Sequence, residues 1–220
     1  MPLAPRLAKV LAWIAAVTAC AGTELVGATW PGYSSWRQVV STLAAVGAPT
    51  RPLMNAVLVI TLLALAALAV VVRGASALGR CFLMVSAASV AFAVAFPFPA
   101  PDVDTGPHTA AVTFAMVMLG FAPLACCAPW RRRQWGQQWR QVLPVTLVLV
   151  AMGLTFLANW LKKTSIMGVT ERVFVAAEMG VLVWAVSAGL RLGTVPAPRV
   201  DAVDTRGADS EAQVPEQVQH

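Results

Sequence analysis

Apolar residues fill this chain in long runs, and the polar positions fall mostly between the runs. Residues 53–72 and 142–161 contain no charge at all, and each is about 20 residues long, enough to cross roughly 30 Å of hydrocarbon as α-helix. The same pattern predicts four further spans, at residues 7–29, 81–96, 108–128 and 172–190. The first ends at an interfacial Trp30 followed by Pro31 and Gly32, and the third ends in the proline-rich run from Phe96 to Pro101, which cannot be helical. Between the first two spans, Trp36, Val39, Val40, Leu43 and Ala44 recur at helical spacing while Arg37, Gln38, Ser41 and Thr42 take the opposite face. That predicts a short amphipathic helix over 34–46 lying on the membrane surface, with Ser35 and Gln38 as a capping box and Gly47 and Pro49 as its stop. The expected fold is therefore all-α, a six-transmembrane-helix bundle with one surface helix. It occupies residues 1–193, and residues 194–220, too poor in apolar side chains to fold, form a disordered cytoplasmic tail.

Composition sharpens this picture. The chain is 58% hydrophobic and 12% charged, about half the charge of a soluble domain, which excludes a water-soluble core. On one side of a six-span topology lie Arg6, Lys9, Arg73, Arg80, Arg131, Arg132, Arg133, Arg140, Arg191, Arg199 and Arg206; on the other lie Arg37, Arg51, Lys162, Lys163 and Arg172. Eleven against five predicts a multi-pass protein of the cell (plasma) membrane with both termini cytoplasmic. The stretch from Arg131 to Arg140 interleaves arginine with tryptophan, as nucleic-acid binders do, but a cytoplasmic loop obeying the same charge rule explains it. The expected partner is the lipid bilayer, not nucleic acid. Arg6, Lys9 and the apolar run to Cys20 resemble a signal peptide ending at a lipid-modified cysteine, yet the run continues to Trp30, the length of a signal anchor. Cys20, Cys81, Cys126 and Cys127 sit in apolar segments and read as packing residues. No cofactor is expected: a three-histidine zinc site is excluded because the only histidines are His108 and His220. Mixed ligation by His108 with Asp102, Asp104 and a glutamate has no supporting spacing. No internal repeat supports a repeat-built transporter.

Polar residues inside a membrane are costly, so their positions carry the functional signal. Glu24 precedes Trp30 by six residues and Glu178 follows Arg172 by six, placing both carboxyls about 9 Å below the outer boundary. Asn55, His108 and Asn159 lie near the outer ends of three other spans. The pattern predicts an outward-facing polar pocket for a small or lipidic ligand, with Arg37, Asn55, Asp102, Asn159 and Arg172 in its wall. Glu24, Asp104, His108 and Glu178 are the candidates for acid–base chemistry. The alternative function is an intramembrane cyclase, isomerase or hydrolase acting on a membrane-soluble lipid or terpenoid. The bland alternative is that these groups pair with Arg37, Lys162 or Arg172 to hold helices together. Ser34, Ser35 or Ser41 with His108 and an aspartate has the residue types of nucleophilic catalysis, without a nucleophile elbow.

Three motifs carry a resemblance. Trp30-Pro31-Gly32-Tyr33-Ser34 continues through Arg37, Ser41 and Leu43 to Gly47-Ala48-Pro49-Thr50 and Asn55; Phe96-Pro97 precedes Asp104 and His108; and Gly168-Val169-Thr170-Glu171-Arg172 opens the last span. In this order the chain resembles domain-of-unknown-function family 998 over about residues 7–190. The resemblance implies a compact bacterial or archaeal membrane protein and brings no established activity. Glu178 is not clearly part of the family pattern.

Overall fold

A computed structural model describes residues 3–72, 75–126 and 135–187, and every described element is helical apart from one isolated bridge, Ala100 to Val103. The basic run Arg131–Arg133, Cys127 and the tail expected over 194–220 lie outside the described residues.

The first span is compound. α1 (Leu3–Val17) passes through a π turn (Thr18–Gly22) into α2 (Thr23–Ala28) without a break in the helix. At the wide turn the Thr18 hydroxyl lies 2.7 Å from the Ile14 carbonyl and 2.8 Å from the Thr61 hydroxyl on α3 (Arg51–Val71), so side chains take up hydrogen bonding there. α4 (Ala77–Ala95), α5 (Gly106–Cys126), α6 (Trp135–Leu161) and α7 (Met167–Ser187) complete a six-span bundle. The first five spans are long and apolar enough to cross a membrane by composition alone. α7 has the length, 21 residues, but carries Glu171, Arg172 and Glu178.

Small side chains let the helices approach. Ala8, Ala12 and Ala15 of α1 meet Ala64, Leu65 and Leu68 of α3, with Leu83 of α4 and Leu182 of α7 in the same buried cluster. Leu63, Leu147, Val148 and Leu154 point outward, as a lipid-facing surface requires.

Two expectations change at the end of the bundle that carries the connections 29–50, 96–105 and 162–166. The 34–46 helix contracts to a five-residue 3-10 turn, Val40–Ala44, whose Thr42, Leu43 and Ala44 are buried. Leu43 and Ala44 find Val26 and Met54 inside the bundle, a better apolar partner than the membrane boundary, and the Val40 N–H is taken by a side chain of α7. Of the apolar stripe Trp36, Val39, Val40, Leu43 and Ala44, only Trp36, 59% exposed, stays outside. The segment is a strap across the mouth. The last span begins at Met167, five residues before the expected Arg172. Its connection to α6 is clipped short: the Thr164 hydroxyl donates to Asn159 Oδ1 at 2.9 Å, and the Thr164 N–H to the Asn159 carbonyl at 3.0 Å.

Candidate functional site

Helix ends leave backbone groups without partners in their own helix, and the mouth is built on them. α4 stops at Ala95, and His108, in the first turn of α5, reaches across to it: Nδ1 lies 3.0 Å from the Ala93 carbonyl oxygen and 2.9 Å from that of Phe96. A carbonyl can only accept, so Nδ1 carries the proton and Nε2 presents its lone pair. Ser41 Oγ lies 2.8 Å from Nε2 and donates to it. Phe98 backs the imidazole with ring centroids 4.5 Å apart, and His108 is only 3% exposed.

The strap that carries Ser41 is held from both sides. Glu171, one turn into α7, accepts the Val40 N–H at 2.7 Å. Asp102 accepts from Gln38 Nε2 at 2.8 Å and from the Thr42 hydroxyl at 3.0 Å, from a left-handed backbone (φ +62°) that aspartate tolerates. Arg172 donates to the Gln38 carbonyl at 3.0 Å, to the Tyr33 hydroxyl and to the Glu24 carboxylate, with which it forms an ion pair. The Tyr33 hydroxyl lies 3.2 Å from the carbonyls of both Gln38 and Val39. Burial pushes its phenol up to about 12, against the pull of Arg172, so it stays neutral and able to donate. Gly168 makes the docking possible, since a Cβ there would lie 2.6 Å from the Ser35 carbonyl oxygen.

Two cavities adjoin at the strap. The outer one, a vestibule of about 540 Å³, mixes apolar surface from Val39, Phe98, Val112, Phe156 and Met167 with most of the polar side chains at the mouth, among them Arg37, Gln38, Ser41, Asp102, Asp104, His108, Thr109, Lys163 and Glu171. At its rim Lys163 Nζ lies 3.0 Å from Asp104 Oδ2, and that hydrogen bond holds the Asp104 carboxyl below the usual carboxylate range. The inner one, about 130 Å³, is mostly apolar, walled by Leu58, Leu65, Val90, Met116 and Leu119 with Glu178 in its lining. Ser41, His108, Val112 and Glu171 belong to both walls. Among the described residues two buried side-chain polar atoms lack a hydrogen-bond partner, Thr109 Oγ1 and Glu178 Oε1, and each belongs to a residue lining one of these cavities.

Of the residues expected at the site, Arg37, Asp102, Asp104 and His108 line the vestibule, and His108 and Glu178 line the inner cavity. Glu24 and Arg172 line neither, being occupied with each other; Asn159 serves the α6–α7 clip, and Asn55 lies outside both linings. Glu24 and Glu178 are not at matching depth. Glu24 lies four residues, about 6 Å, from the end of α2, whereas Glu178 lies eleven residues, about 16 Å, into α7. The residues at the depth of Glu24 are Glu171 and Arg172. Sequence reasoning missed Glu171, Tyr33, Gln38 and Thr109 as site residues, because a helix start at Arg172 leaves Glu171 in a loop. The third motif, which contains Glu171, was the available signal.

The family described as "Protein of unknown function (DUF998)" matches residues 13–188. No curated protein and no solved structure matches the chain.

Proposed function

The chain belongs to the DUF998 family, whose description assigns no activity, and from the mouth of the bundle we propose that it binds a lipidic ligand, polar head in the vestibule and apolar chain in the inner cavity. One observation carries this reading: a chamber bearing charged and polar side chains and a nearly wholly apolar one share a wall of four residues, the profile of an amphiphile. The vestibule falls in the range of small-molecule sites, and an apolar cavity of about 150 Å³ takes a benzene-sized group, so the inner chamber suits roughly a six-carbon segment. Arg37 lines the vestibule outside both ion pairs found among the described residues, and its guanidinium suits a phosphate or carboxylate head. The eleven-to-five charge bias supports a mouth on the outer face of the cell membrane.

The test uses the full chain, delipidated in detergent and titrated with a single-chain phospholipid, retention being read by native mass spectrometry. Val112→Trp fills the shared wall and should abolish retention without lowering the thermal midpoint. Equal retention by the variant, or none by the wild type, overturns the reading.

A second reading, acid–base chemistry on a membrane-soluble substrate, draws on Glu178 alone, whose Oε1 is buried without a partner beside the inner cavity. Glu178→Gln keeps the shape and removes the exchangeable proton; retained lipid binding with lost turnover would favour it.

A further inference from the structure

The ester bond of an acyl lipid lies where its polar head meets its apolar chain. In this protein the Ser41–His108 pair lies in the wall that the vestibule, with its charged side chains, shares with the apolar inner chamber. The geometry points to Ser41 as an acyl-accepting nucleophile with His108 as its general base, making this site an esterase or acyl transferase for a short-chain acyl lipid. The inference rests on the lipid-binding reading above and adds a reaction to it.

Three features of the pair suit the chemistry. The 2.8 Å contact to Nε2 is within the reach that proton transfer needs. The tautomer is the useful one: the Ala93 and Phe96 carbonyls hold the proton on Nδ1, as a buried carboxylate does in a serine–histidine–aspartate triad, and stabilise the imidazolium that forms. The serine is preorganised, because Glu171, Asp102, Tyr33 and Arg172 fix the strap on either side of it. A serine and a histidine that merely join two elements would need none of this alignment with both cavities.

The step balances as follows. Ser41 Oγ attacks the acyl carbonyl carbon and its proton passes to His108 Nε2. The tetrahedral intermediate collapses, the bond from the acyl carbon to the leaving oxygen breaks, and the Nε2 proton goes to the departing alcohol. Water, or a second alcohol, then attacks the acyl-serine with its own proton taken by Nε2, and Ser41 leaves as the free hydroxyl. Arg37 and the unpartnered Thr109 hydroxyl are the vestibule donors available to the oxyanion.

The experiment treats the full chain in detergent with a fluorophosphonate probe, maps the adduct by peptide mass spectrometry, and follows hydrolysis of p-nitrophenyl hexanoate. An adduct on Ser41, a labelling rate at least 100-fold lower in His108→Asn, and ester turnover lost in Ser41→Ala are the expected results. Mapping on the wild type keeps the test valid if a variant fails to fold. A wild type that retains lipid yet shows no turnover and no adduct on Ser41, or an adduct only on another serine, overturns the inference and leaves the binding reading standing. Loss of lipid retention by the wild type itself would instead count against the binding reading.

Discussion

Single side chains at the mouth differ widely in what they hold. Asp104 and Lys163 form an ion pair with side chains 46% and 61% exposed, and pairs of that kind contribute about 0–1 kcal/mol. Asp104→Asn should therefore move stability by less than about 1 kcal/mol in chemical unfolding. Tyr33 is different, because its hydroxyl receives Arg172 and serves the strap carbonyls. Tyr33→Phe leaves a half-buried guanidinium short of an acceptor and should cost about 1–3 kcal/mol. The pH dependence has a definite sign. A phenol raised from 10.0 to about 12 in the folded chain favours its neutral form there. Its contribution is complete below pH 10 and declines as the pH rises towards 12, so the difference in thermal midpoint between wild type and Tyr33→Phe should shrink over that window. Tyr33 and Ser34 are visible in the sequence as part of a motif. The pairing of Tyr33 with Arg172 is not, because the two lie more than a hundred residues apart and only the packed bundle brings them together.

At the scale of elements, periodicity and run length were sufficient for the spans and insufficient for what joins them. Six helices fall where the apolar runs do, since in a membrane the backbone has no other way to satisfy itself. The strap shows the limit. Its alternating faces match an amphipathic helix, but periodicity does not say whether the apolar face meets lipid or protein, and here Leu43 lies wholly buried against the bundle. The α7 start was displaced for a related reason: the charged pair Glu171-Arg172 reads as a boundary, while in the fold both charges have partners inside the mouth. Gly168 tests how tightly α7 and the strap are joined. Gly168→Ala places a methyl against the Ser35 and Gln38 carbonyls and should destabilise the protein by about 1–3 kcal/mol, measured by thermal unfolding in detergent. Gly180→Ala, in open space on the same helix, should leave stability unchanged or slightly raised.

For the whole molecule, charge counting gives an expected sidedness that is open to a direct check. A periplasm-active reporter fused after Gly193 should be silent, and one inserted after Asp102 should be active; the reverse would move the mouth to the cytoplasmic face. The candidate site was legible only in outline, as polar residues gathered near one end of the bundle. Its division into two chambers was not, because depth along a helix depends on where that helix starts, and the five-residue displacement of α7 moved Glu178 from the mouth to the interior.

That same helix has a history before it has a place. α7 enters the bilayer with Glu178 near its middle and Glu171 and Arg172 in its first third; a charge at a span's centre costs roughly 2.5–3.5 kcal/mol at the translocon and less towards the ends, against a gain of about 0.3–0.6 for each leucine or valine. The ion pair that relieves part of this cost belongs to Glu24, in the first span to be synthesised. The first span must therefore wait in the membrane until the last one arrives, and the last one enters as a client of the bundle already assembled. In a glycosylation-reporter insertion assay, α7 alone should integrate poorly and α7 within the full chain efficiently. Glu24→Leu, which removes the waiting partner, should lower integration of a helix made some 150 residues later.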